Sequence, residues 1–330
     1  MKTTRIVLSV VSLIGVLIAG LYGYYLYTPA PAQPALSATL QHGRITVGER
    51  QRDYAYYIPA QRPAKAPLLF VLHGSLQTID DIRRYSAYEF ERLADEHGFI
   101  VVYPQGFERN WNDCRRAADY PARAQNIDDK GLIAALIQRF ASDHDGDARR
   151  AFLTGYSNGG QLGLRIALEQ PQLLAGVAAF AANLPTDDNL DCSPSGQPVP
   201  VLLMNGTRDP INPYKGGVVT LFGVGNRGTV RSAYDSASYF AELAGYRRDA
   251  GLSSTIWQNP DDAAQRAQLV QWQGTGRPEV ALYSLIDGGH LLPQAGFRAP
   301  RLLGPTLSGF DGPRVIWDFF ARQRPTPASL

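Results

Sequence analysis

Short apolar runs alternate with segments of helical periodicity along most of this chain, and that alternation constrains its fold more than any other feature. The run APLLFVLHG, at residues 66–74, is too short for a helix and has the unbroken hydrophobicity of a strand buried on both faces. Comparable runs recur downstream, and the segments between them have a helical pattern, for example at residues 79–96 and 128–142. We therefore predict a mostly parallel central sheet flanked by helices.

A different pattern precedes the first buried run. The segment RITVGERQRDYAYYIP, residues 44–59, alternates β-branched and aromatic residues around a Gly-Glu turn. Alternation with a period of two is typical of strands that bury one face, so we predict an antiparallel hairpin at the edge of the sheet.

The first 27 residues are predicted to be a targeting segment. Lys2 and Arg5 precede an uncharged apolar stretch, and no lysine or arginine follows before Arg44. As a helix, residues 6–26 would extend roughly 31 Å, which is enough to cross a bilayer. We expect an uncleaved signal anchor that leaves the rest of the chain outside the cytoplasm, and a cleaved signal peptide is the alternative.

The remaining boundaries follow from composition. Residues 28–39 are rich in proline and alanine and are predicted to be a linker. Residues 40–325 are long enough for one sizeable α/β domain, and residues 326–330 are assigned to a tail. We therefore expect a single domain after the N-terminal hydrophobic segment.

The net charge and the cysteine content limit the kinds of partner and cross-link that we expect. A formal net charge of +2, with acidic and basic residues interspersed, gives no field that would gather nucleic acid. Cys114 and Cys192 are the two cysteines; outside the cytoplasm they can form one disulfide, and two buried thiols are the alternative. No spacing typical of a metal site occurs, so we predict no metal, and the oligomeric state is open.

The hexapeptide GYSNGG carries the first chemical signal. It follows the apolar run AFLTGY and precedes a predicted helix, so Ser157 would stand at the carboxyl end of a strand, where ligands bind in open α/β sheets. The glycines at 155, 159 and 160 would permit the sharp turn that exposes a nucleophilic serine.

A serine hydroxyl needs a base, and the base needs an orienting acid. In the chain order serine, acid, histidine, His290 is the single histidine after Ser157, and it lies in DGGHLLP after the run EVALYSLI. Asp209 follows the run VPVLLMNG and is our candidate for the acid, with Asp287 and Asp191 as competitors.

An ester or amide carbonyl develops negative charge during acyl transfer, so hydrogen-bond donors are needed near Ser157. The backbone N–H of Asn158 is one candidate. The loop LHGS after the first buried run offers the other, from Ser75 or, failing that, Leu76. We expect His73 in that loop to be structural.

Several longer stretches resemble the feruloyl esterase and polyhydroxyalkanoate (PHB) depolymerase group of α/β-hydrolases. They include LLFVLHGS, ADEHGFIVVYPQG leading to WNDC, NIDDKGLIAALI, GYSNGG and VPVLLMNGTRDPINPYKGG. The resemblance implies the α/β-hydrolase fold, cleavage of carboxylic esters without a cofactor, and the triad Ser157, Asp209 and His290. It also suggests that Trp111, Cys114 and Tyr214 lie near the active-site mouth.

The same resemblance places two acids, Asp128 and Asp129, at a helix start, where capping is their expected role.

We expect a serine esterase that acts on a soluble ester. A serine peptidase or an acyltransferase would use the same triad, and an inactive, membrane-tethered binding protein is a further alternative. The segment GVGNRG, residues 223–228, fits a dinucleotide fingerprint and precedes a predicted helix. A nucleotide-binding unit needs its own strand, helix and strand, whereas this segment lies between the candidate acid and histidine, so we predict a surface loop.

Overall fold

The computed structural model describes residues 2–326, with side chains from residue 8 onward. Met1 and most of the predicted tail, residues 327–330, lie outside the described residues. The helices are α1 (Lys2–Tyr25), α2 (Ile79–Tyr85), α3 (Glu89–His97), α4 (Pro121–Ala124), α5 (Asp129–Asp143), α6 (Asn158–Glu169), α7 (Ala233–Leu243) and α8 (Gly312–Ala321). The strands are β1 (Gln41–Val47), β2 (Arg50–Tyr57), β3 (Ala66–Leu72), β4 (Ile100–Pro104), β5 (Gly146–Tyr156), β6 (Gly176–Phe180), β7 (Val201–Gly206), β8 (Gly217–Val218), β9 (Thr229–Val230), β10 (Leu252–Gln258), β11 (Arg266–Trp272) and β12 (Val280–Ile286).

Ten of these strands form one sheet, in the order β1-β2-β4-β3-β5-β6-β7-β12-β11-β10. The six central strands, from β4 to β12, pair in parallel, whereas both edges are antiparallel. Strands β3, β4, β6 and β7 are buried along their whole length, as expected for strands covered by helices on both faces. The predicted α/β sheet is confirmed, as is the edge hairpin formed by β1 and β2.

Two large apolar clusters fill the space between the sheet and the helices on its two faces. One includes Leu68, Leu136 and Leu162, and the other includes Leu69, Phe90 and Phe320. Consecutive residues of β3 therefore enter opposite cores, because side chains alternate across a strand. This packing holds the central strands, and their carboxyl ends, in fixed positions.

The helix predicted at residues 79–96 is divided in two. Ala87 and Tyr88 between α2 and α3 have φ values of 51° and 60°, in the left-handed region. Ala87 packs with Leu291 and Phe297 in a small cluster, so tertiary contacts compensate for the unfavourable backbone. The break could not be read from the sequence, because the segment holds neither glycine nor proline at this point.

A second edge hairpin, β10 and β11, was not predicted. Strand β10 is almost entirely exposed, and its sequence LSSTIWQ has no buried apolar run. Its position is fixed by antiparallel pairing with β11, which in turn pairs with β12. The short ribbon of β8 and β9 was also missed, and it forms the base of the loop that contains the segment GVGNRG.

The N-terminal region consists of a separate helix and an extended connection. Helix α1 is long and apolar enough to cross a membrane, and no residue of its segment Leu8–Tyr25 is buried. The end of the predicted linker is not free: Ser37 donates its backbone N–H to Asp95, and Ala38 donates to the Tyr57 hydroxyl. The folded body therefore includes the last residues of the 28–39 segment.

Candidate active site

The turn at Ser157 has the geometry that the glycines predicted. Ser157 lies between β5 and α6 with φ 51° and ψ −111°, a strained conformation for a residue with a side chain. A Cβ on Gly155 would lie 2.3 Å from the Gly159 carbonyl carbon, and a Cβ on Gly159 would lie 2.5 Å from the His73 carbonyl oxygen. A larger residue at 155 would push α6 away from β5, and one at 159 would push it away from the end of β3, so the glycines set the sharpness of the turn.

The Ser157 side chain is half-buried at the carboxyl end of the sheet. Its backbone N–H donates to the Phe180 carbonyl at 2.9 Å, which ties the turn to the neighbouring strand β6. Among the side chains of residues 8–326, none forms a hydrogen bond with the Ser157 hydroxyl. No other side chain of the described residues therefore engages this hydroxyl.

Asp209 and His290 form a buried pair beside this turn. The His290 Nδ1 lies 2.6 Å from Asp209 Oδ2, and the side chains are 3 % and 0 % exposed. The other oxygen, Asp209 Oδ1, accepts the backbone N–H groups of Ile211 and Asn212, each at 2.8 Å. Because the carboxylate engages Nδ1–H, Nε2 of His290 is the ring nitrogen left to accept a proton.

The competing acids have other partners. Asp287 forms an ion pair with Arg208 at 2.8 Å, and Asp191 forms an ion pair with Arg123. Neither carboxylate is bonded to His290. The geometry therefore favours Asp209 over both competitors.

Close packing of two loops brings the acid and the histidine together. A Cβ on Gly206, at the end of β7, would lie 2.3 Å from the carbonyl oxygens of Gly288 and Gly289, so only glycine fits there. Tyr156, the residue before Ser157, donates its hydroxyl to the His290 carbonyl at 2.8 Å. Its ring centroid lies 5.2 Å from that of the His290 imidazole. Thus the imidazole packs over the residue next to the serine.

The backbone N–H groups of Ser75 and Asn158 donate to no acceptor among the described residues. Asn158 is the first residue of α6, where helix geometry leaves N–H groups without an intrahelical partner. The alternative donor is already engaged, because the Leu76 N–H donates to the Arg109 carbonyl at 2.8 Å. The structure therefore favours Ser75 and Asn158 as the pair that could bind an oxyanion.

His73 holds the loop that carries Ser75. Its Nδ1–H donates to the Gly74 carbonyl at 2.7 Å, and its Nε2 accepts the Gly106 N–H at 2.9 Å. Burial lowers the pKa of His73 to about 4, which keeps the ring neutral, and neutrality is what this pair of bonds requires. These contacts agree with the structural role expected for His73.

The Asn158 side chain anchors the serine turn to the loop at residues 111–115. Its Nδ2 lies 2.7 Å from Asp113 Oδ2, and its Oδ1 accepts the Trp111 backbone N–H at 2.7 Å. Asp113 also binds Arg115 at 2.6 Å and the Tyr120 hydroxyl. Although burial alone would raise it, the pKa of Asp113 is lowered by Arg115 and these hydrogen bonds, so the carboxylate is charged.

The two cysteines form a disulfide that fixes the same loop. Cys114 and Cys192 are bonded, with Cα atoms 5.3 Å apart, and Asp191 donates its N–H to the Cys114 carbonyl at 2.8 Å. The predicted bridge is confirmed. It lies one residue from Asp113 and so supports the network around Asn158.

Trp111 and Asp129 lie differently from what the resemblance implied, whereas the assignment of Tyr214 to the substrate pocket stays a prediction. Trp111 is fully buried and donates its Nε1–H to the His73 carbonyl at 2.8 Å, so it supports the loop from below and has no surface to offer a substrate. The hydroxyl of half-buried Tyr214 is 2.6 Å from the Ser284 hydroxyl of β12.

Asp128 caps α5 as expected. Asp129, in contrast, is buried and binds Arg52 at 2.7 Å and the Asn112 N–H, also at 2.7 Å.

Sequence reasoning missed the supporting network of Asp113, Arg115 and Tyr120, and also Arg227. The stretch WNDC was noticed, but its acid was not assigned a role, because an isolated aspartate gives no sign of what it will contact after folding. Arg227 belongs to the segment GVGNRG, and its Nη1 lies 3.1 Å from the Ser75 hydroxyl. Its proximity to the active site could not be inferred from a position 152 residues away in the chain.

Two further observations concern metal binding and the position of a surface depression. Among the residues that the structure describes, no group of three or more histidine, cysteine, aspartate or glutamate side chains could hold a metal ion. A surface depression of about 830 Å³ lies beside residues 198–200 and 278–279, at the amino ends of β7 and β12. Ser157 lies at the carboxyl ends of the strands, so this depression is at the other end of the sheet, where open α/β sheets do not place their reacting groups.

The chain has the α/β-hydrolase fold. A solved acetyl xylan esterase from Aspergillus awamori superposes with a TM-score of 0.53 at 18% identity, covering 78% of this chain and 95% of the esterase. At this identity the likeness concerns the fold alone.

Sequence comparison finds a family and individual proteins that part of this chain resembles. Residues 52–188 match the family described as Esterase PHB depolymerase. The chain is 30% identical over 193 residues to a protein named esterase NocK from Nocardia uniformis subsp. tsuyamanensis, spanning 58% of this chain and 54% of that protein. It is 25% identical over 250 residues to poly(3-hydroxyalkanoate) depolymerase C of Paucimonas lemoignei, spanning 72% and 58%.

A probable feruloyl esterase C of Aspergillus oryzae is 23% identical over 287 residues, which are 86% of this chain and 87% of that protein. The chain thus spans little more than half the length of the two bacterial relatives and most of the fungal one. Part of the chain is thus similar to the feruloyl esterase and PHB depolymerase family of α/β-hydrolases.

Proposed function

We propose that this protein is a serine carboxylic ester hydrolase that works through an acyl-enzyme on Ser157. The observation that carries the proposal is the buried Asp209–His290 pair, 2.6 Å between Oδ2 and Nδ1, beside a serine held with positive φ at the end of β5. The esterases among its relatives support the same reaction class.

In the first half-reaction, Ser157 Oγ attacks the ester carbonyl while His290 Nε2 accepts the hydroxyl proton. Asp209 keeps the imidazole in the required tautomer and stabilises its charged form. The backbone N–H groups of Ser75 and Asn158 donate to the oxyanion, and one such donor is worth about 3 kcal/mol of barrier in comparable enzymes. Collapse breaks the C–O bond, and His290 returns the proton to the leaving alcohol.

In the second half-reaction, water attacks the acyl-enzyme. His290 Nε2 takes a proton from the water, a second tetrahedral intermediate forms, and Ser157 departs with the proton from His290. The products are a carboxylic acid and free enzyme. No cofactor takes part in this sequence of steps.

We further propose that residues 40–325 form the catalytic domain and act outside the cytoplasm, attached to a membrane by the N-terminal segment. The 24-residue helix α1 and the disulfide between Cys114 and Cys192 support this location. A soluble ester is the proposed substrate.

Hydrolysis of short 4-nitrophenyl esters tests the proposal. We expect turnover by the wild-type protein and a loss of about 10⁴-fold or more in kcat for Ser157→Ala, with an unchanged melting temperature. Equal turnover by the two proteins would contradict the assignment of Ser157. The truncated protein used for this assay should begin before Leu36, because the contacts of Ser37 and Ala38 belong to the folded body.

A panel of unactivated substrates then addresses specificity. Methyl ferulate, acetylated xylo-oligosaccharides and soluble hydroxybutyrate oligomers correspond to the activities named for the relatives. We expect kcat/KM to be highest for one class of soluble ester and low for insoluble polyester. Preferential attack on the insoluble polymer would contradict the proposed substrate.

A further inference from the structure

The guanidinium of Arg227 lies at the predicted oxyanion loop and has no role in the proposed mechanism. Its Nη1 is 3.1 Å from the Ser75 hydroxyl, and its Cζ lies 5.5 Å from the centre of the Tyr120 ring. Tyr120 belongs to the network that holds Asn158, so this one cation contacts the surroundings of both proposed oxyanion donors.

The backbone holds Arg227 firmly in this position. Its N–H donates to the Val219 carbonyl at 3.0 Å, and its carbonyl accepts from Asn189 Nδ2 at 3.1 Å. Gly228 follows with φ 74°, and a Cβ there would lie 2.3 Å from Asn189 atoms, so the chain passes Asn189 too closely for any other residue. The side chain therefore projects from the anchored base of the loop, not from its exposed tip.

No ion pair joins the Arg227 guanidinium to a carboxylate within residues 8–326, and Asp113 and Asp119 raise its pKa only from a longer distance. The nearby carboxylate of Asp113 is already bound to Arg115 at 2.6 Å. Burial and the Arg115 charge lower the pKa of Arg227, so its surroundings disfavour its positive charge. A half-buried guanidinium without a carboxylate partner is costly, and an anion supplied from outside would remove that cost.

A second arginine on the same segment, Arg231, has both an aromatic contact and a carboxylate partner. Arg231 lies four residues further on and packs its Cζ 5.0 Å from the centre of the Tyr239 ring, much as Arg227 packs on Tyr120. Unlike Arg227, it binds a carboxylate, that of Asp187, at 2.6 Å. The two arginines thus share an aromatic contact and differ in the counter-ion.

We propose that Arg227 is a specificity-determining residue that binds a negatively charged group of the substrate, so that the preferred esters carry a carboxylate on the acyl or the alcohol side. This inference rests on the proposed esterase function. A carboxylate can take two parallel hydrogen bonds from a guanidinium, whereas a neutral ester cannot replace the missing counter-ion.

Matched pairs of esters test this proposal. On the alcohol side, 3-carboxyphenyl butyrate is compared with 3-carbamoylphenyl butyrate; on the acyl side, the 4-nitrophenyl monoester of adipic acid is compared with its terminal amide. The carboxamides have nearly the shape of the carboxylates but no charge. We expect the wild-type protein to have a higher kcat/KM for the carboxylate in one of the pairs, and that pair identifies the side that Arg227 contacts.

The variant Arg227→Gln should lower the ratio of kcat/KM values, carboxylate over carboxamide, by about tenfold or more, the effect of losing a charge-assisted hydrogen bond. Arg227→Lys should retain part of the preference, because the charge persists without the planar fork. The control Arg231→Gln removes a charge from the same segment and should leave the ratio at the wild-type value.

Three outcomes would overturn the inference while leaving the esterase proposal intact. They are a wild-type ratio near one in both pairs, equal losses on carboxylate and carboxamide in Arg227→Gln, and the same change of ratio in Arg231→Gln. Equal losses would mean that Arg227 acts on the oxyanion or on folding. Failure of the proposed function would be seen separately, as absence of Ser157-dependent turnover on all four esters.

Discussion

Ser157 has a backbone conformation that costs free energy, and the residues around it compensate for that cost. A non-glycine residue at φ 51° and ψ −111° is strained by roughly 1–3 kcal/mol. The Asn158 side chain, bonded to Trp111 and Asp113, and the Ser157 N–H bond to Phe180 hold the turn in place. The hydroxyl is thereby positioned in advance of substrate binding.

Asp209→Asn tests the acid assignment. The two side chains are nearly the same size, but an amide no longer selects the Nδ1–H tautomer of His290, and a comparable substitution in a serine protease lowers kcat by about 10⁴-fold. We expect a loss of that order in kcat, measured with a 4-nitrophenyl ester. Asp287→Asn is the matched control, because its ion pair with Arg208 lies at the surface; a larger loss there than in Asp209→Asn would contradict the assignment.

His73 gives a prediction about pH. Its pKa is about 4 in the folded protein and about 6.5 in the unfolded chain, so the unfolded chain takes up this proton first as the pH falls. Its contribution to stability is complete above pH 6.5 and decreases by up to about 3 kcal/mol as the pH falls to 4. NMR titration of the imidazole should find His73 neutral at pH 5, and a midpoint near 6.5 would contradict the prediction.

At the scale of elements, the carboxyl ends of β3, β5, β7 and β12 carry the candidate site. Parallel pairing through β3-β5-β6-β7-β12 brings these ends to one edge, and close packing of Gly206 against Gly288 and Gly289 joins the acid loop to the histidine loop. The loop of residues 111–115 lies beneath them and is fixed by the disulfide.

Removing the disulfide should destabilise this arrangement. Bond Cys114–Cys192 closes a loop across a sequence separation of 78, and a loop of that length stabilises by about 4 kcal/mol in the chain-entropy model, often less in practice. We expect Cys114→Ser/Cys192→Ser to lower the free energy of unfolding by about 2–4 kcal/mol in urea titrations. Dithiothreitol should destabilise the wild-type protein and leave the double variant unchanged; equal stability of oxidised wild type and variant would contradict this.

The elements that the sequence predicted are those whose pattern is local. The buried run of β3, the alternating hairpin β1-β2 and the glycine-flanked Ser157 each carry their signal within a few residues. The division between α2 and α3, the exposed strand β10 and the contacts of Asp113 and Arg227 depend on partners distant in the sequence. For the same reason the family resemblance, which suggests that Trp111 lies near the active-site mouth, gives no indication of which way its ring faces.

At the scale of the whole molecule, the described residues form one exposed apolar helix and a folded body. Helix α1 contacts that body near its C-terminal end, where the Arg301 guanidinium lies 4.2 Å from the centre of the Tyr24 ring. Arg301 adjoins the turn of residues 301–303, and the Leu303 carbonyl accepts the His290 N–H at 2.6 Å. The active-site edge therefore lies on the side from which α1 emerges.

Fractionation tests the role of α1. We expect the full chain to stay in the membrane pellet after alkaline carbonate extraction, because Leu8–Tyr25 is exposed and apolar enough to span a bilayer. Residues 28–330, expressed with a cleavable leader, should be soluble and equally active on short esters. Release of the full chain by carbonate, or a mature N-terminus near residue 30, would contradict a retained anchor.

The most direct measurement of the central claim is covalent labelling of Ser157 through its interaction with His290. A fluorophosphonate reacts with a serine whose hydroxyl is activated by a base, and tandem mass spectrometry locates the label. We expect one phosphonyl group per chain, on Ser157, with labelling slowed by several orders of magnitude in His290→Ala and absent in Ser157→Ala. Labelling of a different residue, or an unchanged rate in His290→Ala, would contradict the account.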